Sequence, residues 1–301
     1  MSAHRDPILV LAPPFSGASF IAAVLDRHHG LCAVPELHLF MADSVGGLLD
    51  LFAISQGGHG DGLLRTVAQF AFGAQSDGAI DQAAGWLDER RDWSTAALLD
   101  AVAGWAAPAR LVIPDTDSPL RPVDLARMRT IVPDAPVLQC LRHPYAVTAE
   151  HAAWLRERLF VPIDYKDHSV DPPQVDPQLG WYRIHRNIEQ HLLGAGMRTL
   201  RLQVDRFDEG ADDDLRRLCA DLGLECDAAD LHAMREPRAW VFGGYGPRAA
   251  PYGVDVDLLE PVRLPADWVV EPSLDALLPW RRDRSGFSPD LVALAQSYGY
   301  R

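Results

Sequence analysis

The sequence predicts an α/β protein, a mainly parallel sheet with helices on both faces and a helical cap set on it. Three observations predict it. Short apolar runs that read as buried strands alternate with stretches of helical period along most of the chain. The first of these runs passes through a small-residue turn directly into a helix. A block from about 43 to 107 is helical in pattern and carries no strand-like run, which makes it the cap.

Ile8 to Leu11 is the first apolar run, and it ends at Pro13-Pro14. Phe15-Ser16-Gly17-Ala18-Ser19 makes a tight turn, and Phe20, Ile21, Val24, Leu25 and His28 follow at helical spacing. A strand, a turn and a helix in that order leave backbone N–H groups at the helix start. They suit a phosphate or sulfate, because the N–H groups and the helix dipole favour negative charge. The same pattern is also the ordinary join of an α/β core. Leu31 to Phe40 reads as a short extended segment carrying Glu36 and His38. Within the cap, Leu48 to Ile54, Leu63 to Phe72, Ala79 to Leu87 and Thr95 to Trp105 are helical, with a flexible glycine-rich break starting at Gly57.

Leu111 to Pro114 returns to strand character and leads into Asp115-Thr116-Asp117-Ser118-Pro119. Pro122 to Val132 reads as a helix, and Pro136 to Leu141 as a buried strand that delivers Arg142 to a helix ending near Leu159. The next twenty residues are rich in proline and aspartate and read as a loop or lid. Trp181, Ile184, Ile188 and Leu192 mark another helix, and Leu200, Leu202 and Val204 alternate as a strand. Asp212-Asp213-Asp214 opens a helix at its positive end, Leu215, Leu218 and Leu222 form its buried stripe, and Gly223 is placed to end it. Residues 236 to 280 give no assignable element, and Ser288 to Tyr298 closes the chain as a helix. The whole reads as a single domain over 1–301, with irregular substrate or lid segments at about 160–180 and 236–282.

With 301 residues and 48% hydrophobic content, the chain can build a sizeable core without disulfide staples. Its four cysteines form no C-x-x-C, so free thiols are expected rather than a metal site or redox pair. His28-His29 reads as the end of the first helix, not as metal ligands, and no metal is expected. No signal-peptide core or membrane-length run is present, so a cytoplasmic protein with no membrane partner is expected. A net charge of −14 argues against nucleic acid as a partner. Lys166 is the only lysine, so an anionic ligand would be held mainly by arginines and backbone amides.

Three blocks carry a family resemblance. The first is Pro14-Phe-Ser-Gly-Ala-Ser19 through His28, followed by Pro35-Glu36. The second is Val132-Pro-Asp-Ala-Pro-Val-Leu-Gln-Cys-Leu-Arg-His-Pro-Tyr-Ala-Val147. The third is the D-L-G-L of Asp221 to Leu224 with Trp280 and the terminal Y-G-Y. Together they resemble the sulfotransferase family that uses 3′-phosphoadenosine 5′-phosphosulfate, its bacterial branch especially. The resemblance implies the P-loop-like sulfotransferase fold and a sulfuryl transfer to a small hydroxyl-bearing acceptor, as in specialised metabolism. It implies cofactor-binding roles for Ser16, Gly17, Ala18, Ser19 and Arg142, the arginine holding the 3′-phosphate. Read from its surroundings alone, Arg142 either binds a ligand at the end of a buried strand or pairs with a neighbouring acid.

The cofactor motifs diverge at three positions. The family's turn has a basic residue two positions before its glycine, where this chain has Phe15. Its serine eight residues after the phosphate-binding arginine is here Glu150, and its lysine after the middle strand is here Asp117. Charge-assisted contacts contribute about 1.5–3 kcal/mol each, so their joint loss would weaken nucleotide binding by several decades unless replaced. Arg238 or Arg248 could replace the lysine if either reached the turn.

Glu36 and His38 are the catalytic candidates. Glu36 matches the family's acidic position, and His38 lies two residues on along the same expected face, titrating nearest neutrality. His151 shares a helical stripe with Val147 and Leu155 and reads as a packed histidine. Two alternatives stand beside sulfuryl transfer. One is a sulfotransferase-fold enzyme that has abandoned the nucleotide and does acid–base or acyl chemistry, on an acceptor that is free or bound to a carrier protein. The other is a non-catalytic binding protein.

Overall fold

The computed structural model describes residues 6–55 and 58–301, so the start of the glycine-rich break at Gly57 lies outside the described residues. In chain order, β1 (Ile8–Leu11), α1 (Ala18–Asp26) and β2 (Leu31–Ala33) lead into α2 (Val45–Ile54), α3 (Asp61–Phe72), α4 (Asp77–Asp88) and α5 (Thr95–Ala106). Then come β3 (Arg110–Asp115), α6 (Pro122–Ile131), β4 (Val137–Leu141) and α7 (Pro144–Arg156). A short hairpin, β5 (Lys166–Asp167) and β6 (Gln174–Val175), precedes α8 (Gln178–His191) and β7 (Thr199–Gln203). The chain ends with α9 (Asp212–Leu222), α10 (Ala228–Met234), α11 (Val256–Leu259) and α12 (Pro289–Ser297).

The five long-range strands form one parallel sheet in the order β2-β3-β1-β4-β7. Period two along each strand sends alternate residues to opposite faces. Leu9, Leu11, Leu111, Ile113 and Val137 join a core with α6, α8 and the cap helices. Ile8, Val10, Val112, Leu138 and Cys140 join a second core with α1, α9 and α10. Both faces are covered, so the strands read as continuous apolar runs rather than alternating ones. At about 1.5–3 kcal/mol per buried aliphatic side chain, these two layers dominate the fold's stability.

Local sequence sets the cap's corners. Ser44, Ser76 and Ser94 each accept a hydrogen bond from the amide three residues on (Gly47, Ala79 and Ala97), starting α2, α4 and α5. Such caps contribute about 1 kcal/mol each. Gly223 ends α9 with a φ of 73°, where a side chain would be strained.

Some segments depart from the sequence expectation. The strand beginning at Leu31 stops at Ala33, and His38 turns the chain with a φ of 50° into a single 3₁₀ turn, Leu39–Met41. The expected loop after α7 holds the β5–β6 hairpin. The proline-rich stretch past residue 236 is ordered around α11 and short 3₁₀ turns at Pro237–Ala239 and Ala266–Trp268. No helix among the described residues is long and apolar enough to cross a membrane.

The topology fixes where a ligand can sit. From β1 the chain moves outward to β2, returns to β3 and then crosses β1 to reach β4. The carboxyl ends of β3, β1 and β4 therefore flank the point where strand order reverses, the usual ligand crevice of open α/β sheets. They deliver Asp115, the turn at residues 13–17 and Arg142 respectively.

Candidate active site

The turn after β1 holds two left-handed residues, Phe15 with a φ of 65° and Gly17 with a φ of 79°. Glycine suits the second position, because a Cβ there would also lie 3.1 Å from Val204. Ala18 begins α1, and Ser19 follows with an amide that has no partner inside the helix. That amide donates to the Asp255 carboxylate at 3.1 Å, and the Asp255 amide donates back to Ser19 Oγ at 2.9 Å. A carboxylate of the chain thus occupies the position at the helix N-terminus that suits a bound anion. Ser16 is fully buried, and its hydroxyl has no hydrogen-bond partner.

Arg142, at the end of β4, is engaged in the same way. Its two terminal nitrogens donate to Glu150 at 2.6 and 2.7 Å, the first also to the Phe15 carbonyl at 2.8 Å. Asp205 lies 3.8 Å from its Nε. Arg142 and Glu150 both line a cavity of about 280 Å³ with Gly17, Phe20, Val204, Pro261 and Val262. Glu150 lies eight residues after Arg142, nearly two turns into α7, and reaches back to the strand end. A phosphate placed about 5 Å from it would be repelled by roughly 3 kcal/mol at an effective dielectric of 20.

Phe15 takes a different course. Its ring is buried against His151 and Trp154, with centroids 5.1 and 6.0 Å away. His151 is a packing residue here, and burial pushes its pKa down to about 3. Arg238 and Arg248 are exposed and make no hydrogen bond or ion pair with the turn, so neither replaces the family's lysine. Asp255 meets the turn instead.

Glu36 and His38 are brought together, although not on an extended strand. The bend at His38 swings its Nε2 to 3.8 Å from Glu36. Glu36 also accepts the Thr116 amide at 3.0 Å, and its own amide donates to the Gly253 carbonyl at 2.8 Å. Burial pushes the Glu36 pKa well above 4.5, reinforced by Asp255, Asp117 and Asp115. Asp117 lies 3.8 Å from His38 Nδ1 and 3.4 Å from His59 Nε2. Asp115 sits beneath, accepting the Ser118 amide and hydroxyl at 2.8 and 2.6 Å, and burial raises its pKa. Burial likewise lowers the His59 pKa. The Nδ1 atoms of His38 and His59 are buried without a hydrogen-bond partner.

This is a carboxylic acid of raised pKa beside an imidazole that a second carboxylate faces from the other side, an arrangement suited to passing a proton. A mostly apolar hollow of about 500 Å³ in the cap is lined by Leu49, Phe52, Leu63, Leu64 and Leu87, with Asp88 and Arg91 at its rim. The Phe52 ring meets the His38 ring edge-on at 6.4 Å.

His28, His29 and Asp230 also converge, with ligand-type atoms within 4.8 Å of one another. His28 Nδ1 accepts the Gly30 amide, so its Nε2 carries the proton and donates to the Glu225 carbonyl at 2.7 Å. Neither nitrogen has a lone pair left for a metal.

The chain resembles two solved structures over nearly its whole length. The sulfotransferase domain of the Synechococcus PCC 7002 olefin synthase matches 99% of this chain and 97% of its own, at TM-score 0.67 and 19% identity. The sulfotransferase domain from the curacin biosynthetic pathway matches 99% of each chain at TM-score 0.66 and 15% identity. The chain has the bacterial sulfotransferase fold. No protein-family profile and no curated protein matches it by sequence. In this sulfotransferase fold, the residues that the resemblance assigns to the nucleotide do gather at the switch point. The Ser19 amide and the Arg142 guanidinium are already engaged by Asp255 and Glu150, however, so a 3′-phosphate on Arg142 would have to displace Glu150, while the Ser16 hydroxyl is buried without a partner. Asp255 and His59 went unmarked in the sequence because one lies in the stretch with no periodicity and the other in the glycine-rich break.

Proposed function

We propose that the chain is an enzyme of the sulfotransferase fold that does acid–base or acyl chemistry with Glu36 and His38 and no longer takes 3′-phosphoadenosine 5′-phosphosulfate. The observation that carries this reading is the two-pronged Arg142–Glu150 pair inside the cavity. A 3′-phosphate would have to break that pair and then sit beside the freed carboxylate.

The acceptor is a small hydroxyl-bearing molecule with an apolar portion suited to the hollow that ends at Phe52. It is carried free or on a carrier protein. Its hydroxyl gives its proton to the Glu36–His38 pair, with Asp117 facing the far side of the imidazole. The net charge of −14 speaks for a neutral or cationic substrate rather than a polyanion. A setting in specialised metabolism is suggested by the two structural neighbours, one a domain of an olefin synthase and one from a biosynthetic pathway.

Donor-dependent sulfuryl transfer is the second reading. It is favoured by the joint presence of Gly17 and Arg142 at one cavity. Calorimetric titration with adenosine 3′,5′-bisphosphate separates the two. Wild type should give no binding at millimolar nucleotide, and Glu150→Ser should gain binding by roughly 100-fold as the repulsion is removed. Micromolar binding by wild type that is lost in Arg142→Ala would replace our reading with the donor-dependent one. In parallel, hydroxyacyl thioesters of N-acetylcysteamine, which mimic carrier-bound acceptors, should be converted without added nucleotide.

A further inference from the structure

The glycine-rich break that leads into α3 carries a group the acid–base chemistry has not yet used, His59. Gly58 has a φ of 77°, and a Cβ there would lie 2.7 Å from both Asp61 and Tyr252. A Cβ on Gly60 would come within 3.0 Å of the Phe52 ring. The two glycines thus let the chain pass close to its neighbours, with His59 held between them. Asp61 closes the turn, its amide donating to the Gly58 carbonyl at 2.9 Å and its carboxylate accepting the Tyr252 amide at 3.0 Å.

This turn delivers the His59 ring to Asp117. His59 Nε2 lies 3.4 Å from Asp117 Oδ2, and His38 Nδ1 lies 3.8 Å from the same oxygen. The two ring centroids are 5.7 Å apart, with the planes tilted by 54°. One carboxylate oxygen therefore faces an imidazole from the cap and an imidazole from the core. The Asp117 backbone is fixed, its amide donating to the Asp115 carboxylate at 3.1 Å and its carbonyl accepting the Leu120 amide at 3.0 Å. Its carboxylate accepts no hydrogen bond among the described residues, so the two imidazoles are what aim it. Burial lowers the His59 pKa against the pull of Asp117 and Asp61, and the ring carries a single proton at neutral pH. A carboxylate facing one nitrogen of a neutral imidazole draws that proton to the nitrogen it faces.

We propose that His59 is a positioning residue: its Nε2–H holds the Asp117 carboxylate against His38 Nδ1 and so fixes the tautomer that leaves His38 Nε2 free on the Glu36 side. This rests on the acid–base reading above. The substrate O–H bond breaks, its proton passes to the free nitrogen, and the electron pair stays on the substrate oxygen. Separations of 3.4 and 3.8 Å are longer than hydrogen bonds, and catalytic contacts of this kind commonly tighten only when substrate binds.

Substitutions at His59 test this, because glutamine places its amide nitrogen near the imidazole Nε2 and asparagine near Nδ1. Leucine keeps bulk and offers no donor. On the hydroxyacyl thioesters, His59→Leu and His59→Asn should lower kcat by roughly 10–100-fold with KM within about threefold, the scale of loss when a catalytic group is misplaced by about 1 Å. His59→Gln should recover most of that loss. Equal losses in His59→Asn and His59→Gln would make the role structural, and wild-type rates in every variant would leave His59 without a role. Either result overturns the proposal. NMR of protein labelled at the histidine nitrogens reads the tautomers without substrate. His38 should carry its proton on Nδ1 in wild type and in His59→Gln, and shift it toward Nε2 in His59→Leu and His59→Asn. A wild-type His38 protonated on Nε2, or the same tautomer in every variant, would overturn the proposal. Should wild type turn over none of these thioesters, or Glu36→Gln keep the wild-type rate, the acid–base reading fails. The tautomers would still decide whether His59 holds Asp117 against His38.

Discussion

The donor side of the cleft and the acid–base side lie a few residues apart and satisfy their polar groups in opposite ways. On the first side, the Ser19 amide and Arg142 are met by carboxylates of the chain itself, Asp255 and Glu150. Beside Glu36, the buried Nδ1 atoms of His38 and His59 have no hydrogen-bond partner. A self-satisfied polar group stabilises the fold. An unsatisfied one costs stability, which the rest of the structure must offset, and it marks where a ligand completes the bonding. On the reading proposed above, the contrast divides polar groups that the chain itself satisfies from groups left for a substrate. One short stretch links the two sides, because Gly253 accepts from the Glu36 amide while Asp255 meets Ser19. Arg65, almost wholly buried, holds that stretch by the carbonyls of Phe242, Gly244 and Tyr252.

The largest effect is expected from Glu36→Gln. Turnover of a hydroxyacyl thioester should fall by roughly 10²–10⁴-fold, the usual contribution of a positioned acid–base group. Stability should move the other way with pH. Burial favours protonated Glu36, so its contribution is complete below the ordinary pKa of 4.5 and is lost as pH rises toward the raised folded value. Each unit of separation between the two values corresponds to about 1.4 kcal/mol. Glutamine keeps an acceptor for the Thr116 amide and cannot ionise. The variant should therefore gain on wild type above pH 4.5 in urea melts taken across pH. Equal pH profiles for the two proteins would place the charge cost elsewhere and weaken the contrast.

A smaller effect is expected at Asp255. Asp255→Ala leaves the Ser19 amide at the start of α1 without its buried acceptor, a loss of about 1–3 kcal/mol in urea unfolding. Added phosphate or sulfate should restore part of that loss in the variant and leave wild type unmoved, since the helix N-terminus would be open to an external anion only in the variant. Stabilisation of both proteins alike by phosphate would mean that Asp255 never filled an anion position.

Much of the fold was legible because it rests on local periodicity. Strands such as Ile8–Leu11 and Val137–Leu141 are buried on both faces, so they appear as unbroken apolar runs between helices. Ser44, Ser76 and Ser94 announce their helices in the same local way. The pairing of Glu36 with His38 could be placed in one segment, but not its cause, since the left-handed turn at His38 is made by a residue type that only sometimes adopts it. Glu150 could be flagged as out of place from the sequence, yet its grip on Arg142 depends on two turns of α7 returning it to the end of β4. Asp255 is joined to Ser19 across 236 residues, from a stretch whose prolines and glycines follow no period.

The smallest effect is expected at Ser16, and it probes the contrast from its weakest side. Ser16 is the one residue of the turn whose side-chain hydroxyl is buried and unbonded among the described residues. If the turn has become structural, that hydroxyl only costs desolvation, and Ser16→Ala should leave stability within about 0.5 kcal/mol of wild type or raise it slightly. Thioester turnover should be unchanged. If instead the hydroxyl waits for a ligand, Ser16→Ala will slow turnover at unchanged stability. The unsatisfied region would then extend across β1 to the turn, and the boundary between the structural and chemical halves would fall at Asp255 and Arg142 rather than between β1 and β3.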